Sequence, residues 1–151
     1  MCIRDSTKAN LGYGNGLHGI HDFPLYKNNF SGGIDSVRGY EGFSLGPKDS
    51  RGIPMGGNIL TNASVGIIFP NYISETLRTS VFVDAGNVYT SLNNRAYGFY
   101  SSDSGPLRYS TGIEVDWFSS FGPIELSLAK TLNKRPGDRG DAFQFALGAN
   151  F

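Results

Sequence analysis

Large apolar side chains fall on every second residue in six separated stretches of the chain, with polar or small residues between them. From Leu107 to Phe118, Leu107, Tyr109, Thr111, Ile113, Val115 and Trp117 point one way, and Arg108, Ser110, Gly112, Glu114 and Asp116 the other. From Leu77 to Val88, Leu77, Thr79, Val81, Val83 and Ala85 oppose Arg78, Ser80, Phe82, Asp84 and Gly86. Every charge in these two stretches lies on the polar side. The pattern repeats from Asn58 to Phe69 and from Ile124 to Leu132, where Lys130 falls on the apolar side near a strand end and can snorkel. A weaker stretch runs from Thr7 to Tyr13. The last sets Phe143, Phe145, Leu147, Ala149 and Phe151 against Gln144, Ala146, Gly148 and Asn150. Side chains alternate across a strand, so a period of two predicts six β-strands, each with one apolar and one polar face.

The connections alternate between long and short. Gly14 opens an excursion of about forty residues that closes at Gly57. A short turn follows around Pro70 to Thr76, then a long loop from Thr90 to Pro106, a tight turn from Ser119 to Pro123 and a charged loop from Asn133 to Asp141. Outer-membrane barrels alternate in this way because their periplasmic turns are short and their external loops long. On that reading Phe151 ends on the periplasmic side. A soluble antiparallel sandwich would use the same alternation with its apolar faces packed together. Two features favour the membrane. The stretches reach roughly eleven residues, which suits a tilted membrane-crossing strand. Aromatics also gather near strand ends, at Phe69 with Tyr72, Tyr89, Trp117 with Phe118, Phe121 and Phe151, as an interfacial girdle requires.

Six strands cannot close a membrane barrel, whose smallest common size is about eight, because open edges would leave backbone groups unpaired in lipid. The expected fold is therefore all-β, a C-terminal six-strand fragment of a larger antiparallel transmembrane β-barrel. Residues 7–151 form the barrel part, with the long loop 14–57 between its first two strands, and residues 1–6 are a non-native or disordered head.

Composition then narrows the chemistry. Lysine and arginine total 13 and aspartate and glutamate 13, which leaves no net charge to attract nucleic acid. No apolar run approaches the length of a spanning helix, so contact with a membrane must come through strands. The one cysteine, Cys2, cannot form an internal disulfide. His18, His21 and Asp22 have a spacing open to a metal, but they sit among loop glycines and are expected to be solvated. The chain has no glycine motif set between a strand and a helix, as a phosphate-binding turn or a nucleophile elbow requires, and no metal-type cysteine set. Neither catalytic residues, cofactor nor metal are expected. The run from Lys134 to Arg139 reads as a solvated external loop.

One motif stands apart. The long excursion contains Gly32-Gly33-Ile34-Asp35-Ser36-Val37-Arg38-Gly39-Tyr40, followed by Leu45-Gly46-Pro47. Set in a loop joining two barrel strands, Val37-Arg38-Gly39-Tyr40 resembles the Val-Arg-Gly-Phe/Tyr signature in the sixth extracellular loop of the BamA family of outer-membrane assembly factors. Further residues carry the resemblance in the family's order: Gly12 to Gly16, Gly56-Gly57-Asn58, Arg78 to Gly86, Gly122-Pro123 and Phe143 to Phe151.

The resemblance implies a sixteen-stranded barrel preceded by periplasmic polypeptide-transport-associated domains. It implies a non-enzymatic activity in which nascent outer-membrane proteins are folded and inserted into the outer-membrane lipid bilayer, with accessory assembly lipoproteins as partners. In that family the loop folds back into the lumen and its arginine meets acids on the barrel wall. Asp84 has the lumen parity for this, and a guanidinium enclosed there needs carboxylate or carbonyl partners. Where the family carries a glutamate on the preceding strand this chain has Gly66, and Glu114 or Asp116 could substitute. The resemblance makes the terminal strand, with Phe143, Phe145, Leu147, Gly148 and Phe151, one side of a lateral seam that receives substrate strands. A related translocation or assembly-module barrel, a two-partner secretion barrel and a passive porin remain as alternatives.

Overall fold

The computed structural model of the protein describes residues 4–14, 25–70, 76–90 and 105–148. They form one sheet of six strands: β1 (Arg4–Tyr13), β2 (Ile59–Pro70), β3 (Leu77–Tyr89), β4 (Arg108–Ser119), β5 (Gly122–Thr131) and β6 (Phe143–Leu147). The strands are ordered as in the chain and every neighbouring pair is antiparallel. This is the up-and-down connectivity of a barrel wall, left open at β1 and β6.

Burial along the strands inverts the soluble rule. Val65, Val83, Ile113, Leu128 and Phe145 are exposed, Leu128 by 63% and Phe145 by 64%. The residues between them, Asn62, Ser80, Asp84, Ser110, Ser127 and Gln144, are buried. A sandwich would bury the first set and wet the second, so the soluble alternative is removed. The apolar face is the one a bilayer would cover, and the polar face lines the concave side. Lys130 is exposed at the outer end of β5, on the apolar face.

The ladder fixes rows on the concave face. Ser64, Asp84, Ser110 and Thr131 stand side by side, then Gly66, Phe82, Gly112 and Ala129, then Ile68, Ser80, Glu114, Ser127 and Gln144. One more row, Arg78, Asp116, Glu125 and Ala146, lies nearest the short turns.

Two strand ends depart from the sequence reading. β1 begins at Arg4, and Arg4, Asp5 and Ser6 pair with Ile68, Ile67 and Gly66, so half of the expected head continues the sheet. Backbone pairing needs no apolar side chain, which is why the pattern missed it. β6 is shorter than expected: it ends at Leu147, and Gly148 turns off with φ +72°. Phe151, Tyr72, Cys2, His18, His21 and Asp22 lie outside the described residues, as does most of the loop between Thr90 and Pro106.

Candidate functional site

The long loop returns over the concave face instead of standing in solvent. Its own core is small: Val37, Tyr40 and Leu45 are fully buried. Antiparallel bridges between Asn29 and Gly57 and between Ser31 and Leu45 close it on itself, and Ser31 Oγ donates to Asn62 Oδ1 of β2 at 2.7 Å. The four residues of the motif are then laid across the wall in order.

Val37 meets β3 at Gly86, where an added Cβ would stand 2.6 Å from Val37 Cγ2 and 2.9 Å from the Thr61 carbonyl. The absence of a side chain at Gly86 is what lets the loop approach the wall. Arg38 reaches deepest. Its Nε donates to Asp84 Oδ2 at 2.8 Å and its Nη2 to Asp84 Oδ1 at 2.7 Å, a bidentate fork, while its backbone N–H donates to Asp84 Oδ2 at 3.0 Å. Nη2 also donates to Ser64 Oγ at 2.8 Å, and that hydroxyl donates to Asp84 Oδ1 at 2.6 Å. Nη1 forms an ion pair with Glu114. The guanidinium carbon sits 3.5 Å from the centre of the Phe82 ring, a cation–π contact on the concave face. Burial works against the charge of Arg38, but hydrogen bonds and attraction from Asp84 and Glu114 outweigh it and raise the pKa above its ordinary value. The arginine is therefore permanently charged and held between two rows of the wall.

Gly39 takes φ +85° with its hypothetical Cβ 3.0 Å from Ala129 Cβ of β5, so both its conformation and its space favour glycine. Tyr40 is fully buried, and its hydroxyl lies 3.4 Å from the Tyr109 carbonyl and from Asn133 Oδ1. Burial, then the nearby Asp138 charge, pushes the Tyr40 phenol up from its ordinary value. The backbone of the motif meets the segment leading into β6: Tyr40 bridges Gly140, Asp141 N–H donates to the Gly39 carbonyl at 3.0 Å, and Glu41 N–H donates to the Arg139 carbonyl at 2.9 Å.

Of the three acids named from the sequence, Asp84 and Glu114 contact Arg38 and Asp116 does not. Asp116 stands one row nearer the short turns, and the carboxylate oxygens of Glu114, Asp116 and Glu125 lie within 4.8 Å of one another. These acids could share a cation, but Arg38 already takes one oxygen of Glu114, and carboxylates this close repel one another. The pair of substitutions is accordingly asymmetric. Glu114→Gln is expected to destabilise the barrel by about 2 kcal/mol, and Asp116→Asn to leave it unchanged or tighten it. Urea unfolding of the barrel followed by gel mobility without heating reads both. At Gly66 an added Cβ would make only ordinary contacts, 3.4 Å to the Val81 carbonyl and 3.8 Å to Phe82 Cβ, so Gly66→Glu is expected to restore part of what Glu114→Gln loses.

The structure also shows contacts that the sequence reading missed. Ser64 and Phe82 complete the arginine's surroundings; a lone aromatic among the polar positions of β3 was the available signal for Phe82. Gln144 on β6 grips the motif from the far side, donating through Nε2 to the Tyr40 carbonyl at 2.7 Å and accepting from Gly39 N–H at 3.4 Å. The charged loop after β5 is not simply solvated. Its Asp138 is buried and takes Arg108 Nε at 2.6 Å and Lys48 at 3.2 Å, which ties the long loop to β4 and to the β5–β6 connection.

Burial would raise the Asp138 carboxyl, but the Arg108 hydrogen bond, the Arg135 N–H and the Lys48 contact hold it below the usual carboxylate range. A depressed native pKa contributes stability that is present above the unfolded value and lost as pH falls through the native one. The latch is thus expected to persist at pH 5 and open only in stronger acid, whereas Asp138→Asn opens it at neutral pH. Hydrogen exchange of residues 134–141, corrected for intrinsic rate, checks this.

Comparison with known proteins places this geometry. A profile of the Omp85 superfamily domain matches residues 3–151. The outer membrane protein assembly factor BamA of Neisseria meningitidis serogroup B is 36% identical over 165 residues, covering 93% of this chain and 21% of that protein. BamA of Nitratidesulfovibrio vulgaris is 28% identical over 137 residues, covering 89% of this chain and 17% of that protein. The crystal structure of BamA from Haemophilus ducreyi lacking POTRA domains 1–3 superposes with a TM-score of 0.82 at 32% identity, over 95% of this chain and 30% of that one. The chain spans about a fifth of the length of the two assembly factors it matches.

Proposed function

Because the chain belongs to the Omp85 superfamily, we propose that it is the C-terminal barrel segment of a BamA-like insertase, which folds and inserts other β-barrel proteins into the bacterial outer membrane without enzymatic chemistry. The observation that carries the reading is the return of the loop across the concave face with Arg38 set between Asp84 and Glu114. A wall that must stay coherent while one strand moves gains a brace.

On this reading the complete barrel has sixteen strands, and Val37, Arg38, Gly39 and Tyr40 hold β2 to β5 together from inside. β6, with Phe143, Phe145 and Leu147 and followed by the turn at Gly148, is the moving side of the seam. Incoming substrate strands pair with its free edge, exchanging unsatisfied backbone groups for ladder hydrogen bonds. Its short span beside the longer β5 thins the adjoining lipid, which lowers the barrier to insertion. Nascent outer-membrane proteins are the substrates, and accessory lipoproteins would bind domains that precede this segment.

The test is complementation. The full-length protein carrying this segment is expressed while the resident assembly factor is depleted, and heat-modifiable porins are followed in the outer membrane. Sustained porin assembly is the expected result. Loss of porins beside a normally folded barrel overturns the insertase reading; export of a secreted partner would then favour the two-partner secretion alternative, and steady ion conductance the porin.

A further inference from the structure

The motif does more than brace the middle of the wall, because its last two residues are bonded to the seam strand. β6 pairs with β5 over five residues only, from Ile124 opposite Leu147 to Leu128 opposite Phe143. Just beyond Leu128 one more backbone bond, from Ala129 N–H to the Ala142 carbonyl at 2.8 Å, joins β5 to the chain running into β6, and that chain also pairs with the loop through Tyr40–Gly140, Asp141 to Gly39 and Glu41 to Arg139. Gln144 is the one β6 side chain with hydrogen bonds to the loop among the described residues. It is 7% exposed and uses both ends of its amide, the donor on the Tyr40 carbonyl and the acceptor on the Gly39 N–H. Only an uncharged side chain that both donates and accepts can satisfy that pair of backbone groups at once.

We propose that Gln144 is a positioning residue that latches the seam strand to the arginine loop, so that β6 leaves β5 only when the loop lets go. The inference rests on the reading of β6 as the moving side of the seam. Arg38 anchors one end of a rigid four-residue segment on β3 and β4, and Gln144 holds the other end. Coupling of this kind is reciprocal: whatever loosens the loop loosens β6, and a substrate strand that draws β6 away also releases the loop.

The experiment measures amide hydrogen exchange in the full-length barrel in lipid nanodiscs, comparing residues 143–147 and 39–41 with β3 as the internal reference. Gln144→Glu keeps the shape but removes the donor facing the Tyr40 carbonyl. Its exchange is expected to rise about fivefold in both segments together, the scale of one lost hydrogen bond, with β3 unchanged. Ser127→Ala is the control: Ser127 stands opposite Gln144 on β5 and its buried Oγ has no hydrogen-bond partner among the described residues, so both segments should exchange as in the parent.

A rise confined to 39–41 overturns the proposal, since Gln144 would then tether the loop without governing the strand. A uniform rise that includes β3 also overturns it, in favour of a general structural role. Gln144→Ala must reproduce the paired rise, and failure of both variants to form a barrel that Ser127→Ala forms counts against the latch. The readout needs no substrate: failed porin assembly with paired exchange would sink the insertase and leave the latch standing.

Discussion

Arg38→Ala is expected to cost the barrel about 3 kcal/mol, the scale on which an enclosed carboxylate suffers when its partner is removed. Asp84 is fully buried and would keep only the Ser64 hydroxyl and one backbone N–H, while Glu114 would lose its guanidinium among two neighbouring acids. The cation–π contact on Phe82 disappears as well. Arg38→Lys should recover the charge but not the fork, because an ammonium cannot serve both Asp84 oxygens and Glu114 in one geometry. The measurement is the temperature at which the full-length barrel loses its compact mobility on an unheated gel. The expected order is parent, then Lys, then Ala. The double variant Arg38→Ala with Asp84→Asn should be less damaged than the sum of its parts, since it removes the stranded charge; additivity would show that Asp84 and Arg38 act independently.

Gly86→Val is expected to expel the loop while leaving the sheet paired. The new branches would occupy the space of Val37 and press on the Thr61 carbonyl, and overpacking of this kind costs about 1–3 kcal/mol. Since Val37 precedes Arg38, moving one withdraws the other from Asp84, so the loss should approach that of Arg38→Ala. Ala85→Val, one residue away on the lipid side of the same strand, is the matching control and should be neutral. Protease cleavage within 28–56 distinguishes the two: the loop becomes cleavable in Gly86→Val and stays protected in Ala85→Val.

Most of the wall was legible because one rule governs it. Where one face meets lipid and the other a polar interior, alternation marks a strand and its facing together, and β2 to β5 follow the expected positions to within two residues or so. The rule fails where the pattern lapses: Arg4 to Ser6 pair through backbone alone, and the apolar alternation of the last strand continues past the point where Gly148 turns away. The arginine loop was visible as a motif, but its depth was not. Glu114 and Asp116 share a face two residues apart, and only the reach of the loop decides which of them meets Arg38. Gln144 carries no local signal, because a polar side chain is what alternation expects at any concave position of its strand. Asp138 was hidden in a charged run, since nothing local says that Arg108 and Lys48 converge on it.

The inverted burial of the sheet also dictates where this chain is free to drift. Lipid tails are fluid and close around any apolar outline, so at Val65, Val83, Ile113 or Leu128 a substitution is judged by transfer energy and scarcely by shape. The concave positions are judged as a jigsaw with fixed donors and acceptors. A saturation library of the barrel should therefore return a stripe of interchangeable aliphatic residues alternating with near-invariant polar and glycine positions, the reverse of what a soluble enzyme yields, and the exterior is the surface to recode when the protein is to be moved into a bilayer of another thickness.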